Sequence, residues 1–244
     1  ATIMLLESAD RSARLDLLEM QYYRELLKNE KYSDHMSLPE TMIYSGTCRS
    51  ISSRISQDNV SLSAALCCKA IKLHTSTADG KILIWTHVSD YVEKESFMAE
   101  KWITCECDGW EVELSLSLLN EMQTDRRSAL PNETGGVLIG AYDIARKRVY
   151  VVCQVKAPED SISSPTSFIR GCANLPERLE YIYMTTLDNL TYIGEWHSHP
   201  SANTQKSMDD KKLHKAIVDY NRENCLPGCM MILGTDTFSI FIDE

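Results

Sequence analysis

The sequence predicts an α/β fold over residues 108–244, with a mixed β-sheet flanked by helices. Three observations lead to this class. Short apolar segments of strand length recur along this part of the chain, segments with helical spacing lie between them, and turns containing glycine or proline separate the two kinds. Residues 1–95 show a shorter alternation of helix and strand patterns, and we expect a separate N-terminal α/β segment there.

Two helices and one strand are predicted in the N-terminal segment. Residues 11–30 carry leucine and tyrosine side chains on one stripe and charges elsewhere, which is typical of an amphipathic helix. A second helix is predicted over 59–73, and a short strand over 81–87 follows a turn with glycine. The stretch 93–104 is charged at first and has no clear period, so we expect a junction there.

The sequence pattern of the C-terminal segment predicts a strand, a helix, two strands, a loop, a helix, a strand, a helix and two strands, in that order. The predicted strands are 110–114, 137–141, 148–155, 191–196, 229–233 and 238–242, and the helices are 175–185, 211–224 and one around 118–122. The second and third strands are expected to form a hairpin. The serine-rich connection 157–170 is either a contact for a substrate or a plain surface loop.

The composition excludes several classes of protein. A net charge of −10 disfavours nucleic acid as a partner, and no apolar stretch is long enough to cross a membrane. Nine cysteines without a Cys-x-x-Cys pair argue against a secreted disulfide framework and favour reduced thiols. We therefore expect a cytoplasmic protein, to which the flexible and partly basic tail of a small protein is a suitable partner.

A histidine pair at the end of a predicted strand is the most informative motif. His197 and His199 are two residues apart, so both point the same way from an extended strand. Ser207 and Asp210 follow, and we expect them on one face of the first turn of the next helix. Two imidazoles and one carboxylate make a three-ligand zinc site with a vacant position, which is the arrangement of catalytic rather than structural zinc.

Glu133 supplies a base for such a site. It lies in the loop just before the predicted strand 137–141. Zinc lowers the pKa of a water molecule that it holds to about 7. A nearby carboxylate can take that proton and pass it to a leaving amine. The Ser207 hydroxyl can donate to the oxyanion that forms when a carbonyl is attacked.

The order glutamate, His-Ser-His-Pro, six residues, Ser-x-x-Asp resembles the motif of the JAMM (MPN+) metalloproteases, and the likeness covers most of the C-terminal segment. That family cleaves isopeptide or peptide bonds after ubiquitin-like proteins. The resemblance implies a Zn²⁺ cofactor and a role for each motif residue: His197, His199 and Asp210 as zinc ligands, Glu133 as general base, and Ser207 as oxyanion donor.

The resemblance also implies partners, namely a ubiquitin-like protein, its conjugates and other parts of a bacterial activating and conjugating system. Maturation of a precursor and removal of the modifier from a target both fit. Two alternatives stay open: a protease that acts on a sulfur-carrier protein, and a non-catalytic MPN-type scaffold. Scaffolds of this family typically lack one of the glutamate, histidines or aspartate, all of which this chain keeps.

Simpler interpretations of single residues also stay open. The histidine pair can be structural, and Glu133 can be an ordinary loop carboxylate. Ser207 with Asp210 also fits a helix N-cap with an acidic first turn, a role that needs no metal. Asp209 is an alternative ligand, although the family spacing selects Asp210. His214, one turn further, is either a partner of that carboxylate or, more simply, a solvent-facing side chain.

Residues 1–95 resemble the C-terminal part of a ThiF-type, ubiquitin-activating adenylation domain. The resemblance rests on Ser-Gly-Thr-Cys-Arg at 45–49, Asp-Asn-Val at 58–60 and Ile-Leu-Ile-Trp at 82–85. It implies that Cys48 accepts the C-terminus of a ubiquitin-like protein as a thioester, with the adjacent arginine favouring the thiolate. The alternative is a loop cysteine without such a role.

Overall fold

The computed structural model divides the chain into two compact units, Ala1–Glu100 and Lys101–Glu244. The structure describes residues 2–7, 13–29, 57–74, 80–88 and 91–244. The candidate thioester residue Cys48 therefore lies outside the described residues. None of the helices in these ranges is long and apolar enough to cross a membrane.

The first unit contains a three-stranded antiparallel sheet and two described helices. The strand order is β1 (Thr2–Glu7), β2 (Lys81–Val88) and β3 (Tyr91–Met98), so β2 is central. The helices are α1 (Leu15–Lys28) and α2 (Gln57–His74). Both helices and the strand β2 agree with the sequence-based predictions, apart from small shifts at their ends.

The stretch 93–104 differs from the expected irregular junction. It contains most of β3 and the start of another strand, β4 (Trp102–Cys107). Side chains in β3 are mostly exposed or half-buried, so the sequence has no apolar alternation there. The backbone pairing with β2 defines this strand instead, because every residue of β3 has a partner in β2.

The second unit is built on a seven-stranded mixed sheet. After β4, its strands along the chain are β5 (Trp110–Ser115), β6 (Gly135–Asp143), β7 (Arg148–Lys156), β10 (Thr191–Ser198), β11 (Gly228–Leu233) and β12 (Phe238–Asp243). Their order in the sheet is β12-β11-β10-β6-β7-β5-β4. The pairs β5–β7 and β10–β11 are parallel, and the other pairs are antiparallel.

Three helices flank this sheet, which confirms the predicted mixed α/β fold. They are α3 (Leu116–Ala129), α4 (Leu175–Thr186) and α5 (Met208–Arg222). Leu118 and Met122 of α3 belong to the main core, together with side chains from six of the strands. The predicted hairpin between β6 and β7 is also present, and a short 3₁₀ turn connects its strands.

The serine-rich connection 157–170 is a hairpin rather than a plain loop. Its strands are β8 (Ile162–Ser164) and β9 (Ser167–Ile169), which pair antiparallel with each other and not with the large sheet. Each strand has only three residues, so an apolar alternation is too short to be visible in the sequence.

The two edge strands of the large sheet, β4 and β12, lie against each other. The thiol of Cys107 donates to the carbonyl oxygen of Ile240 at 3.3 Å. Beside this contact, Trp110 Nε1 donates to Glu244 Oε1 at 3.0 Å. The sheet is therefore curved enough to bring its first and last strands together, as strongly twisted sheets of this size can be.

Candidate metal centre

The strand β10 carries His197 and ends one residue before His199, and it lies between β6 and β11. A register shift between Tyr192 and Gly194 interrupts the alternation of its side chains. Ile193 and Trp196 consequently face the main core, whereas Glu195 lines a cleft on the other face. Gly194 has φ of 155°, and a Cβ there would collide with the carbonyl oxygen of Cys229, so this position requires glycine.

The structure brings together the three predicted ligands, His197, His199 and Asp210. His197 Nε2 lies 3.2 Å from His199 Nε2 and 3.1 Å from Asp210 Oδ1. The distance from His199 Nε2 to Asp210 Oδ2 is 3.7 Å. Tetrahedral zinc with ligands at about 2.0–2.1 Å separates its ligand atoms by about 3.3 Å. The three atoms thus already have the spacing that a zinc ion needs.

The hydrogen bonding of His199 supports the same conclusion. Its Nδ1 is 2.7 Å from the carbonyl oxygen of Asn203, which can only accept, so Nδ1 carries the ring proton. The other nitrogen, Nε2, then presents a lone pair toward His197 and the Asp210 carboxylate. Three electron-pair donors directed at one point fit a cation such as Zn²⁺, and a carbonyl partner behind a ligating histidine is the usual support for that arrangement.

A capping box orients Asp210 at the start of α5. The Asp210 amide donates to Ser207 Oγ at 3.2 Å, and the Ser207 amide donates to Asp210 Oδ2 at 2.7 Å. The carboxylate is therefore fixed by backbone contacts. Asp209 is excluded as the ligand, because its side chain is 89% exposed and pairs with Lys212.

Charge interactions within the cluster shift two pKa values. Burial on its own raises the pKa of Asp210, but hydrogen bonds with His197 and His199 outweigh it and hold that pKa well below its usual range. The Asp210 carboxylate also raises the pKa of His199, with burial opposing and the Asn203 carbonyl reinforcing the shift. The aspartate is accordingly a carboxylate, as a metal ligand must be.

Glu133 is a buried residue of the loop before β6 and lies close to the cluster. Its side chain is 8% exposed, and burial raises its pKa. The electrostatic influence of His199 and His197 lowers the pKa, whereas that of Asp210 raises it, so all three ligands are within interaction distance. A carboxyl group with a raised pKa is a better proton carrier near neutral pH than an ordinary surface glutamate.

Two backbone-linked contacts hold the Glu133 loop to the end of β10. The Ser198 amide donates to the carbonyl oxygen of Thr134 at 2.7 Å, and the Thr134 amide donates to Ser198 Oγ at 3.1 Å. Ser198, between the two histidines, thus fixes the residue next to Glu133. The middle serine of the His-Ser-His-Pro motif explains how a glutamate far upstream reaches the histidines.

Ser207 occupies the N-cap position that the simpler interpretation predicted. Its oxygen accepts a hydrogen bond from the backbone of Asp210, and the side chain is exposed. Accepting this bond leaves the hydroxyl proton free to donate. The cap and a role as oxyanion donor are therefore compatible.

Arg126 of α3 is a site residue that sequence reasoning missed. Its guanidinium is buried and donates to the carbonyl oxygens of His199 at 2.9 Å and Pro200 at 2.7 Å, and to Thr235 Oγ1 at 3.1 Å. An arginine in a charged helix gives no sequence signal of burial. Its three acceptors fix the backbone turn that follows the second histidine.

The expectation that His214 faces solvent was wrong. The residue is 2% exposed, and its ring contacts Lys206, the Gly228 carbonyl and Asp243 rather than Asp210. The helical spacing of α5 places it one turn beyond Asp210. The sequence around it is rich in lysine and aspartate, which hid the fact that this face of the helix packs on β11.

The β8–β9 hairpin lies beside the Glu133 loop. The Glu133 amide donates to the carbonyl oxygen of Ser164 at 2.9 Å. The ring of Phe168 lies so close to Gly135 that a Cβ there would be 2.6 Å from Cε1. At the end of β9, Arg170 Nη2 forms an ion pair with Glu195 Oε1 of β10 at 2.8 Å.

An apolar cleft of about 300 Å³ opens between α4 and α5. The Arg170–Glu195 ion pair contributes to its lining, so the cleft starts two residues before His197 on β10. Its apolar lining includes Leu175, Leu179, Tyr183, Tyr192, Leu213 and Tyr220. Because its two charged groups pair with each other, the cleft suits an uncharged group.

Comparison with known proteins gives a family match over this unit. A sequence model of the family described as prokaryotic homologs of the JAB domain matches residues 115–242, which include all five motif residues. A CD-NTase/cGAS isopeptidase from Enterobacter hormaechei subsp. hoffmannii (strain UCI 50) is 33% identical over 147 residues. That alignment covers 59% of this chain and 80% of the Enterobacter protein.

Two solved structures are also similar over 54% of this chain. One is the solution structure of a protein from Desulfitobacterium hafniense, with 21% identity, a TM-score of 0.36 and 88% of that chain covered. The other is the crystal structure of a JAB1/MPN domain protein from Archaeoglobus fulgidus, with 18% identity, a TM-score of 0.32 and 94% of that chain covered.

Proposed function

The chain belongs to the family of prokaryotic homologues of the JAB domain, and on that premise we propose that it is a zinc-dependent isopeptidase. It cuts after the C-terminus of a ubiquitin-like protein. The observation that carries this proposal is the convergence of His197, His199 and Asp210 at zinc-ligand spacing. Glu133 next to them supplies the proton carrier that hydrolysis requires.

The proposed chemistry divides between the metal and the chain. Zinc, when bound, supplies Lewis acidity toward a carbonyl oxygen and a water molecule. Glu133 would take one proton from the attacking water molecule as the oxygen of that water adds to the carbonyl carbon. It would then give the proton to the amine nitrogen as the C–N bond breaks. The Ser207 hydroxyl donates to the oxyanion in between. The products are a free carboxylate on the modifier and a free amine on its former partner.

The named relative supports the proposed substrate class. The Enterobacter protein is called a CD-NTase/cGAS isopeptidase. By analogy, this chain acts in a bacterial ubiquitin-like conjugation system, and its substrate is a ubiquitin-like modifier joined through an isopeptide bond to a target such as a CD-NTase. A linear fusion presents the same carbonyl, so precursor maturation uses the same site.

The tail of the modifier is proposed to lie as an extended strand along the β8–β9 hairpin. Hairpin strands that do not join the large sheet leave backbone groups available, and main-chain hydrogen bonds hold peptides in this mode. The hairpin touches the Glu133 loop through Ser164, so a bound tail reaches the metal centre. The close approach of Phe168 to Gly135 makes this entrance narrow, which favours small residues at the cut.

From the sequence resemblance alone, we also propose that the first unit is part of an activating-type domain, with residues 1–95 and 108–244 as the two domains. Its described part, an antiparallel sheet with two helices, is α/β in character. We place the protein in the cytoplasm, where ubiquitin-like modifiers and their activating partners act. Neither nucleic acid nor a membrane is part of the proposal.

The direct test uses the whole chain, zinc and a ubiquitin-like protein joined to a lysine side chain. Mass spectrometry of the products should show a modifier that ends in its free C-terminal carboxylate and a target with a free lysine. Glu133→Gln serves as the control for contaminating proteases. A zinc-loaded wild type that binds the conjugate without cutting it would contradict the proposal and favour the scaffold alternative.

Fusions with different tails separate a specific enzyme from a general peptidase. Fusions with small residues before the cut should be processed, and those with bulky residues there should not. Equal cleavage of both kinds would reject the narrow entrance. Cleavage of unstructured peptides that lack a ubiquitin-like body would reject a dedicated isopeptidase.

A further inference from the structure

The segment between His199 and Asp210 is held at both ends by buried side chains. At its start, Arg126 donates to the carbonyl oxygens of His199 and Pro200. At its end, Lys206 contacts His214, which is 2% exposed. The second contact has no part in the chemistry proposed above, and it joins a loop to a helix beside the metal centre.

The Lys206–His214 contact fixes one tautomer of the imidazole. Lys206 Nζ lies 3.0 Å from His214 Nδ1, and an ammonium group can only donate, so Nδ1 accepts. The ring proton must then be on Nε2, which donates to the carbonyl oxygen of Gly228 in β11 at 3.3 Å. Lys206 Nζ also lies 4.3 Å from the centre of the Phe241 ring, a cation–π distance.

The neutral imidazole that this contact requires is also the form that the surroundings favour. Burial lowers the pKa of His214, and the Lys206 ammonium lowers it further, against smaller opposing influences that include Asp243. Asp243 Oδ2 lies 3.4 Å from Nδ1. The imidazole nitrogen Nδ1 therefore has both the ammonium and a carboxylate near it, and the ammonium also lies over an aromatic ring.

The Lys206–His214 contact is close in the chain to the supports of two proposed ligands, His199 and Asp210. Lys206 directly precedes Ser207, whose amide donates to Asp210 Oδ2. His214 lies one helical turn beyond Asp210. Three residues before Lys206, the Asn203 carbonyl holds the ring of His199. A shift of the loop at Lys206 would therefore move the supports of two of the three ligands.

We propose that the Lys206–His214 hydrogen bond is a positioning device for the metal centre. It fixes residues 200–206 on α5 and β11, so that His199 and Asp210 keep ligand spacing before an ion arrives. Without it, metal binding must also order the loop, and the affinity falls accordingly. This role rests on the zinc centre of the proposed function and adds two residues outside the motif to it.

The test measures the affinity of the whole chain for zinc by competition with a chromogenic chelator. Lys206→Met and His214→Gln should each weaken binding by about 10-fold, the lower end of the effect of losing a group in direct contact with a ligand. The double variant should be no weaker than the weaker single variant, because both changes remove one interaction. His214→Asn, which places an acceptor near the Nδ1 position, should bind more tightly than His214→Gln.

Asn221→Leu is the matched control. Asn221 is a buried polar residue of the same helix, and its amide donates to the carbonyl oxygen of Pro227 at 2.8 Å, away from the loop. This variant should unfold at lower denaturant concentration and bind zinc like the wild type. An equal loss of zinc affinity in this control would show that general destabilisation explains the effect and would overturn the proposal.

The outcomes distinguish this proposal from the function on which it rests. A wild type that binds no zinc would reject the metal centre itself. A wild type that binds zinc, with Lys206→Met at wild-type affinity or with single effects that simply multiply in the double variant, would overturn the positioning role alone. Lys206 is only half-buried, so its variant tests the proposal even where His214→Gln fails to fold.

Discussion

In the proposed mechanism, Glu133 is the residue on which turnover depends most directly. Glu133→Gln keeps the size of the side chain but removes the proton carrier, so we expect zinc content and fold to persist. The rate constant kcat should fall about 10²–10⁴-fold, the usual contribution of general acid–base catalysis. Steady-state kinetics on a ubiquitin-like fusion, with zinc content measured on the same sample, checks this. Turnover near the wild-type rate would reject Glu133 as the base.

The ligands should behave differently from the base. His197→Ala and Asp210→Ala each remove one of three ligands, so both should lose the bound zinc, whereas Glu133→Ala should keep it. Elemental analysis of freshly purified protein should give one zinc per chain in the wild type. Full zinc in both ligand variants would contradict the assignment. Asp209→Ala is the control, because its exposed side chain points away to Lys212.

Ser207 caps α5 and has a proposed second role as oxyanion donor, so its replacement should have two effects. Ser207→Ala should lower kcat about 10²–10³-fold, as the loss of one oxyanion donor does. It should also destabilise the helix N-terminus by about 1 kcal/mol, as the loss of a cap does. Ser207→Gly costs less at a cap, and it lacks the hydroxyl too. A drop in kcat for the alanine variant but not for the glycine variant would reject the oxyanion role.

At this scale the sequence predicted the motif residues but not their supports. Three sequence features indicate the proposed ligands. The alternation of a strand places His197 and His199 on one side, and the short spacing to the start of the next helix indicates Asp210. Arg126 and His214 could not be found in this way, because both lie in helices with many charged neighbours and their burial depends on tertiary packing. Ser198 falls between these cases, since its position was known but its contact with Thr134 was not.

Through His214, helix α5 makes the stability of the fold depend on pH. Burial, reinforced by Lys206, holds the pKa of His214 below its usual value of 6.5. Below pH 6.5 the unfolded chain binds a proton at this side chain that the folded chain does not bind. The stability that the neutral imidazole contributes is therefore complete above pH 6.5 and is lost as the pH falls through 6.5 toward the lowered pKa.

Denaturant unfolding of the zinc-free protein measures this effect. The difference in unfolding free energy between the wild type and His214→Gln should be larger at about pH 8 than at about pH 5.5. Other titrating groups are common to both proteins and cancel in the difference. A difference that stays constant with pH, or grows on acidification, would show that His214 is not held neutral.

Strands with many buried apolar residues could be predicted from the sequence, and short or exposed strands could not. The strands β6 and β10 are buried over most of their length, so the sequence signals them clearly. The strands β8 and β9 have three residues each, and β3 has few buried side chains. Pairing of the backbone defines these three strands, and a single sequence carries little information about pairing.

At the scale of the whole molecule, the second unit has a core of its own. Its main cluster of buried side chains draws only on residues from Trp110 to Ile242. We therefore expect a protein of residues 101–244 to unfold cooperatively and to bind one zinc per chain. Circular dichroism with denaturant and elemental analysis check the two statements. A shortened protein that is unfolded, or folded without zinc, would contradict this expectation, and the full chain is the control.

The contact between the edge strands β4 and β12 affects which extended chains the sheet can bind. A strand edge with unpaired N–H and C=O groups recruits any extended polypeptide, which makes it a nucleus for aggregation. In the fully described 101–244 unit, the two ends of the large sheet shield each other through Cys107 and Ile240. The β8–β9 hairpin keeps its outer edges outside that sheet. The capture of unrelated extended chains at these two edges of the sheet is thus suppressed.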